Sequence, residues 1–235
     1  MSAMWKAIFE TDETLPPAAC PNGRLRDLRF GLLLGAEAWS HLRPAIRDRF
    51  SKRLGFGAVV TYAGEIVESR RSRAGWLIAQ TCRLIGAPLP LNDDIGAPAI
   101  VTVTEDARGG GQFWTRIYGR RNSLPQVIQS TKRFAGPTGL EEYLGGGFGI
   151  ALSLSADDRM LRFRSDHYFL RLAGRRIRLP PWLAPGALTI SHIDLGDGRF
   201  AFVLVLRHWL FGEVISQTGL FHERLAVNKE ESFHD

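Results

Sequence analysis

Along the chain, the spacing of apolar residues shifts from the three-and-four rhythm of helices to the alternation of strands. Leu28, Leu32, Trp39, Leu42, Ile46 and Phe50 recur at intervals of three, four and seven, which predicts an amphipathic helical stripe. Pro44 falls inside that stripe, and because its ring clashes with a preceding turn it is expected to open a second helix. Residues 58–69 are rich in β-branched side chains and predict a strand. Residues 74–86 predict a helix with Leu77, Thr81, Leu84 and Ile85 on one side and Gly86 as its stop. A loop holding Pro88, Pro90 and Pro98 then leads to a strand over 99–105.

From there strand signals are dense. Segments 112–118, 126–134, 148–155, 159–165, 167–172, 188–195 and 199–208 alternate or run apolar, and each is bounded by Gly, Asp or Pro. Thr138 with Glu141 three residues later forms a capping box and predicts one short helix. Asp157–Asp158, Gly174 and Asp197–Gly198 read as hairpin turns, so neighbouring strands should pair antiparallel. With Asp197 and Gly198 as the central pair, Leu195 faces Phe200, Ile193 faces Phe202 and Ser191 faces Leu204. Phe200, Phe202, Leu204 and Leu206 then share an apolar face, and His192 and Asp194 lie on the other; a one-residue slip would exchange the two. A sheet this long, with one apolar face and glycines within its strands, tends to curl. The expected fold is α+β: a curved antiparallel β-sheet or β-barrel of eight or more strands enclosing an apolar cavity, with the N-terminal helices packed on it. Residues 1–27 read as a flexible N-terminal arm, 28–223 as a single domain and 224–235 as a disordered tail.

Composition narrows the class without naming a function. At 235 residues, 45% hydrophobic and 23% charged, the chain is neither disordered nor collagen-like nor a coiled coil. The net charge of +6 comes from a basic set of 26 Arg and only 4 Lys, scattered in small groups along the whole length. No nucleic-acid-binding motif accompanies them, so a genome favouring Arg codons explains the bias better than a nucleic-acid partner does. Cys20 and Cys82 are too few for a disulfide framework or a zinc site. Residues 1–19 carry Glu10, Asp12 and Glu13 and no continuous apolar run, unlike a signal peptide, and no apolar stretch is long enough to be a transmembrane segment. The expected location is cytoplasmic.

Candidate chemistry is sparse. The glycine runs 109–111 and 145–147 lack the spacing of a dinucleotide or phosphate loop and read as turns between strands. No cofactor is indicated, and the six histidines show no metal-ligand spacing. Arg116 stands out, because Trp114 and Tyr118 flank it on one face of its strand while Phe113 and Ile117 occupy the other. A guanidinium held there must be paired, with Glu65 or Glu68 as candidates, or must contact a polar ligand group. Trp114, Arg116 and Tyr118 are therefore the candidate ligand-binding residues. His192 and Asp194 are the candidate catalytic pair should the protein be an enzyme of the cyclase, isomerase or hydrolase kind.

Leu34-Gly35 followed by Trp39 and Pro44, Trp114-x-Arg116-x-Tyr118 followed by Ser130, Leu179-Pro180 with Leu183 and Pro185, and Phe211-Gly212 with Gly219 together resemble a bacterial family of domains of unknown function. Members of that family also occur fused behind a saccharopine-dehydrogenase-like nicotinamide-binding domain. The resemblance spans about residues 28–223, and departs from the family where Gly136-Pro137 lies upstream of its usual place. It implies no catalytic residues. It adds one partner class, an oxidoreductase on which the chain would dock as an accessory module. The leading expectation is a binding protein for a small, largely apolar or amphipathic molecule.

Overall fold

The computed structural model describes residues 26–55, 58–86 and 88–224. Among these, helices α1 (Arg29–Leu34), α2 (Ala36–His41) and α3 (Pro44–Phe50) precede strand β1 (Val60–Arg71), and α4 (Arg73–Thr81) with a 3₁₀ turn (Cys82–Ile85) follows it. Strands β2 (Pro98–Asp106), β3 (Gly111–Tyr118), β4 (Gln126–Arg133), β5 (Leu140–Tyr143), β6 (Phe148–Ala156), β7 (Met160–Leu172), β8 (Arg175–Arg178), β9 (Ala187–Gly196), β10 (Arg199–His208) and β11 (Gly212–Arg224) complete it. A second 3₁₀ turn, Pro181–Leu183, lies between β8 and β9.

All pairings are antiparallel, in the order β6-β5-β4-β3-β2-β1-β11-β10-β9-β7, and β6 pairs back onto β7. The result is a closed ten-stranded barrel with β8 attached to β7 as an extra strand. Closure satisfies the strand edges that an open sheet would leave bare. Alternation sorts side chains to the two surfaces: on β3 Gln112, Trp114, Arg116 and Tyr118 are buried inside while Phe113 is exposed. No helix among the described residues is long and apolar enough to cross a membrane.

The two ends of the barrel differ. At the end of the β6–β7 and β9–β10 turns, α1 and α3 insert an aromatic plug. Phe30 packs edge-on against Phe50 and Phe134, with ring centroids 5.3 and 4.9 Å apart, and Phe50 meets His192 at 4.9 Å. The backbone N–H of Arg43 donates to the Asp158 carbonyl at 3.0 Å and ties α3 to the β6–β7 turn. Over the other end lies α4, capped by the Ser72 hydroxyl, which accepts from the Gly75 N–H at 3.0 Å.

Several expectations hold. Pro44 is the first residue of α3, and Gly86, at φ +99°, ends the turn after α4 in the left-handed region. Others need correction. Phe30, not Leu28 or Leu32, faces the core, because Gly35 at φ +90° breaks the helix after six residues and the 3.6-residue phase is not carried across. The capping box forms no helix: the Thr138 hydroxyl donates to the Leu140 carbonyl at 3.0 Å and the chain enters β5. Segments 159–165 and 167–172 are one strand, and β5, β8 and β11 are additional. Of the expected arm, only Arg26 and Asp27 are described; Arg26 bridges to Lys52 and the Asp27 N–H donates to the Ser51 carbonyl at 2.7 Å. Residues 225–235 of the expected tail lie outside the described residues.

The most consequential correction is at the β9–β10 hairpin. Asp197 and Gly198 do form its turn, but Gly196 at φ +81° follows a bulge that leaves Leu195 unpaired. The register slips by one, so Phe200 faces Asp194 and Phe202 faces His192. His192 and Asp194 therefore point into the barrel with the phenylalanines, and Leu195 is exposed.

Gly64 tests closure. A Cβ there would lie 1.8 Å from the Leu220 carbonyl oxygen on β11, a backbone atom that has nowhere to go. Gly64→Ala is expected to lower stability by at least about 2 kcal/mol. Gly55→Ala, whose Cβ meets nothing closer than 3.9 Å, should be near neutral; urea unfolding of the two variants measures the difference.

Candidate functional site

Strands β3, β4 and β5 place three charges inside the barrel. Arg116 stands one step above Trp114 on β3, Ser130 and Lys132 project from the adjoining β4, and Glu142 comes from β5. The Glu142 Oε1 accepts from Arg116 Nη2 at 3.1 Å, from Lys132 Nζ at 3.1 Å and from the Ser130 hydroxyl at 2.5 Å. Arg116 Nη1 also donates to Ser130 Oγ at 3.3 Å. All four residues are buried. The partner of Arg116 is thus Glu142, not Glu65 or Glu68.

Burial and pairing oppose each other in this cluster. Burial alone would raise the Glu142 carboxyl, but Lys132, Arg116 and the Ser130 hydroxyl overcome it and hold the group down at about 2. For Lys132 burial prevails over the pull of Glu142, and the ammonium falls to about 8. Its Nζ also lies 4.6 Å from the Trp114 ring centroid, a cation–π contact that favours the charged form. Two cations against one carboxylate leave the cluster with one positive charge at neutral pH. Two buried polar atoms have no hydrogen-bond partner: Arg116 Nε and Glu142 Oε2.

Above the cluster the barrel is hollow. A cavity of about 700 Å³ extends from Arg116, Glu142 and Tyr118 up to α4, the loop 88–90 and the turn 181–183. Its middle is walled by apolar side chains such as Ile128, Ile150, Ile190, Phe202 and Leu204. Leu77, Leu84, Trp182 and Leu183 frame the mouth. Cys82 also lines it, and burial pushes its thiol up to about 11, so it is a thiol and not a nucleophilic thiolate at neutral pH.

The three residues singled out on β3 share one face but not one role. Arg116 and Tyr118 line the cavity; Trp114 lies below it, donating its Nε1–H to the Gln112 side chain at 3.2 Å and bordering only a minor void near Arg49. His192 and Asp194 are not brought together as a dyad. Asp194 accepts from Arg43 Nη1 at 3.1 Å and from the Gly196 N–H at 3.4 Å, while His192 Nδ1 has no hydrogen-bond partner. Phe50, Phe163, Phe200 and Phe202 surround the imidazole. Burial, with Arg49, Lys132 and Arg116 adding repulsion, pushes its pKa well below the ordinary value, so it is neutral at physiological pH. The imidazole is neutral, boxed by rings, without a carboxylate partner among the described residues, and not on the cavity wall. No cluster of three or more metal-ligating side chains occurs among the described residues.

Residues 42–221 match the model of a domain of unknown function, DUF4166. The chain belongs to that family. The match takes in every barrel strand up to Phe221 and all four residues of the charged cluster, whereas α1 and α2 precede it. No curated protein and no solved structure matches the chain. The family's description assigns no activity, so the chemistry of this DUF4166 domain has to be read from its own side chains.

Sequence reasoning found Arg116 but missed Lys132 and Glu142. Lys132 alternates with Ser130 and Ile128, which is how an inward β4 face reads, and that signal was available. Glu142 was hidden because its strand has only four residues and follows a turn that imitates a helix start.

Two expectations follow. Glu142→Gln strands two buried cations and should lower stability by roughly 3–5 kcal/mol, measured by urea unfolding at neutral pH. The second concerns Lys132, which holds its proton less tightly when folded than at its ordinary value of 10.5. Between about pH 8 and pH 10.5 the unfolded state therefore binds the extra proton, and stability contributed by this position rises with pH. Wild type should gain stability relative to Lys132→Met across that window; a constant difference between the two would show that Lys132 is not depressed.

Proposed function

We propose that this chain binds a single small amphipathic molecule in the upper half of its barrel, with the polar end on Arg116 and Glu142 and the apolar body toward the mouth. What supports the reading is one juxtaposition. The floor of a predominantly apolar cavity carries the paired Arg116 guanidinium and Glu142 carboxylate. A ligand oxygen that accepts from the Arg116 guanidinium gains a charge-assisted hydrogen bond in a site shielded from water. The positive charge of the cluster favours a carboxylate or another oxygen-rich head over an amine. A volume of about 700 Å³ falls within the usual range for small-molecule sites, roughly 300–1,000 Å³.

Catalysis is the weaker reading. At the cavity floor and wall Glu142 is ionised and Cys82 protonated at neutral pH, and His192 does not line the cavity.

The test is native mass spectrometry of the purified chain for a retained molecule, followed by titration with a fluorescent long-chain fatty acid. One bound molecule per chain is expected. Ile190→Trp, which fills the middle of the cavity, should abolish binding while the fold persists. Arg116→Met should weaken it by roughly tenfold or more, the worth of a charge-assisted hydrogen bond. No retained species together with no saturable uptake would remove the proposal.

A further inference from the structure

We infer that the mouth of the barrel docks on the surface of an anionic lipid membrane, from which the cavity's ligand is drawn. This rests on the binding reading above and supplies the ligand's source. Beside the loop 88–90, whose following Asp93 pairs with Arg71 at 2.9 Å, three segments frame the mouth end: α4 with its 3₁₀ turn, the stretch around the Pro181–Leu183 turn, and the β10–β11 turn. Each presents large apolar side chains to solvent. Leu84 is 87% exposed, Trp182 70% and Trp209 71%, and Leu210 and Phe211 stand beside Trp209. His208, on the cavity wall, stacks on Phe211 with ring centroids 4.9 Å apart, so the third segment is continuous with the mouth. Isolated exposed apolar residues are ordinary, but several converging on one opening from separate segments mark an interaction surface.

Charge decides what kind of surface it meets. Arg73, Arg83, Arg178 and Arg207 lie in or beside these segments and are exposed. Residues 73–85, 178–185 and 207–212 contain no Asp or Glu, and the next acid, Glu213, already pairs with Arg207 at 3.2 Å. Tryptophan beside arginine is the composition of a membrane interface, where indoles settle at headgroup depth and guanidinium groups meet anionic lipid. A second copy of the chain would present the same excess of cations and be repelled. A rigid protein partner would cap the opening, whereas a fluid lipid surface covers the rim and leaves the passage to the cavity open to an amphiphile.

Co-sedimentation of the full chain with vesicles, either phosphatidylcholine alone or phosphatidylcholine mixed equally with phosphatidylglycerol, tests the inference. Binding to the mixed vesicles is expected, weaker binding to phosphatidylcholine alone, and a loss of affinity on adding salt. Trp209→Ser with Phe211→Ser, and separately Arg83→Glu with Arg178→Glu, should each weaken binding to the mixed vesicles by about tenfold or more. These side chains are exposed and off the cavity wall, so melting and fatty-acid uptake from solution should stay within about twofold of wild type, which separates failure of docking from failure of the cavity. Vesicle binding without any fatty-acid uptake would overturn the cavity reading and leave the docking surface standing. Absence of binding to both vesicle types, or binding that neither pair of substitutions alters, would overturn the inference. So would a concentration-dependent dimer abolished by the Trp209 and Phe211 substitutions, since it would assign the rim to protein.

Discussion

A closed ring of ten strands encloses more width than its own side chains can fill. Eight strands leave an interior that side chains just pack; each added strand widens it, and the surplus must be filled, charged or left hollow. This barrel does all three, at successive levels. At one end α1 and α3 bring in Phe30, Ile46 and Phe50 to complete a core with Phe163, Phe200 and His192. Midway, long polar side chains from β3, β4 and β5 reach inward and meet at Glu142. Above them no side chain of the described residues fills the ring, and the cavity begins. The helices, the ion cluster and the cavity are three responses to a single geometric surplus.

The ion cluster is the costly one. Arg116, Lys132 and Glu142 give up hydration for a shared set of hydrogen bonds, an exchange that well-packed apolar residues of the same size often match or better. Stability alone therefore gives no reason to keep it. Its position gives one: it forms the boundary between the packed and hollow halves, with Arg116 and Glu142 turned to the cavity and Lys132 covered by the Trp114 ring below. A polar floor beneath an apolar shaft distinguishes one end of a guest from the other, which an all-apolar interior cannot do.

Dense β-branched and aromatic runs bounded by Gly, Asp or Pro made the strands, the antiparallel pairing and the curled sheet legible on β3, β4 and β10. β11 escaped notice for a physical reason. Its inward face carries Gln217 and Gly219 where other strands carry Phe or Leu, and Gly219 is small because the Phe221 and Ile66 side chains occupy the space a Cβ would need. The strand that links β1 to β10 thus has the weakest pattern. The His192 face was lost to a single residue: a turn read correctly at Asp197–Gly198 still gave the wrong register, since the bulge at Leu195 depends on Gly196 reaching φ +81° and leaves no mark in the hydrophobic pattern. The ion partner of Arg116 was a tertiary fact, twenty-six positions away across two strands, and local spacing does not carry such information.

Stability and function are consequently divided along the barrel axis. Residues of the packed half touch one another through rings and paired backbone, and an opening there would disrupt the closed sheet. The cavity roof is different: α4 has nine residues and is followed by a single 3₁₀ turn, and several of its apolar side chains face outward or into empty space. Such segments open locally at a small fraction of the global unfolding free energy. On the proposed reading, a guest enters or leaves without any strand parting from its neighbour. The same arrangement explains why the roof is not better packed. Filling the space under α4 with larger apolar residues would strengthen its contacts with the barrel, but on the proposed reading it would also close the passage.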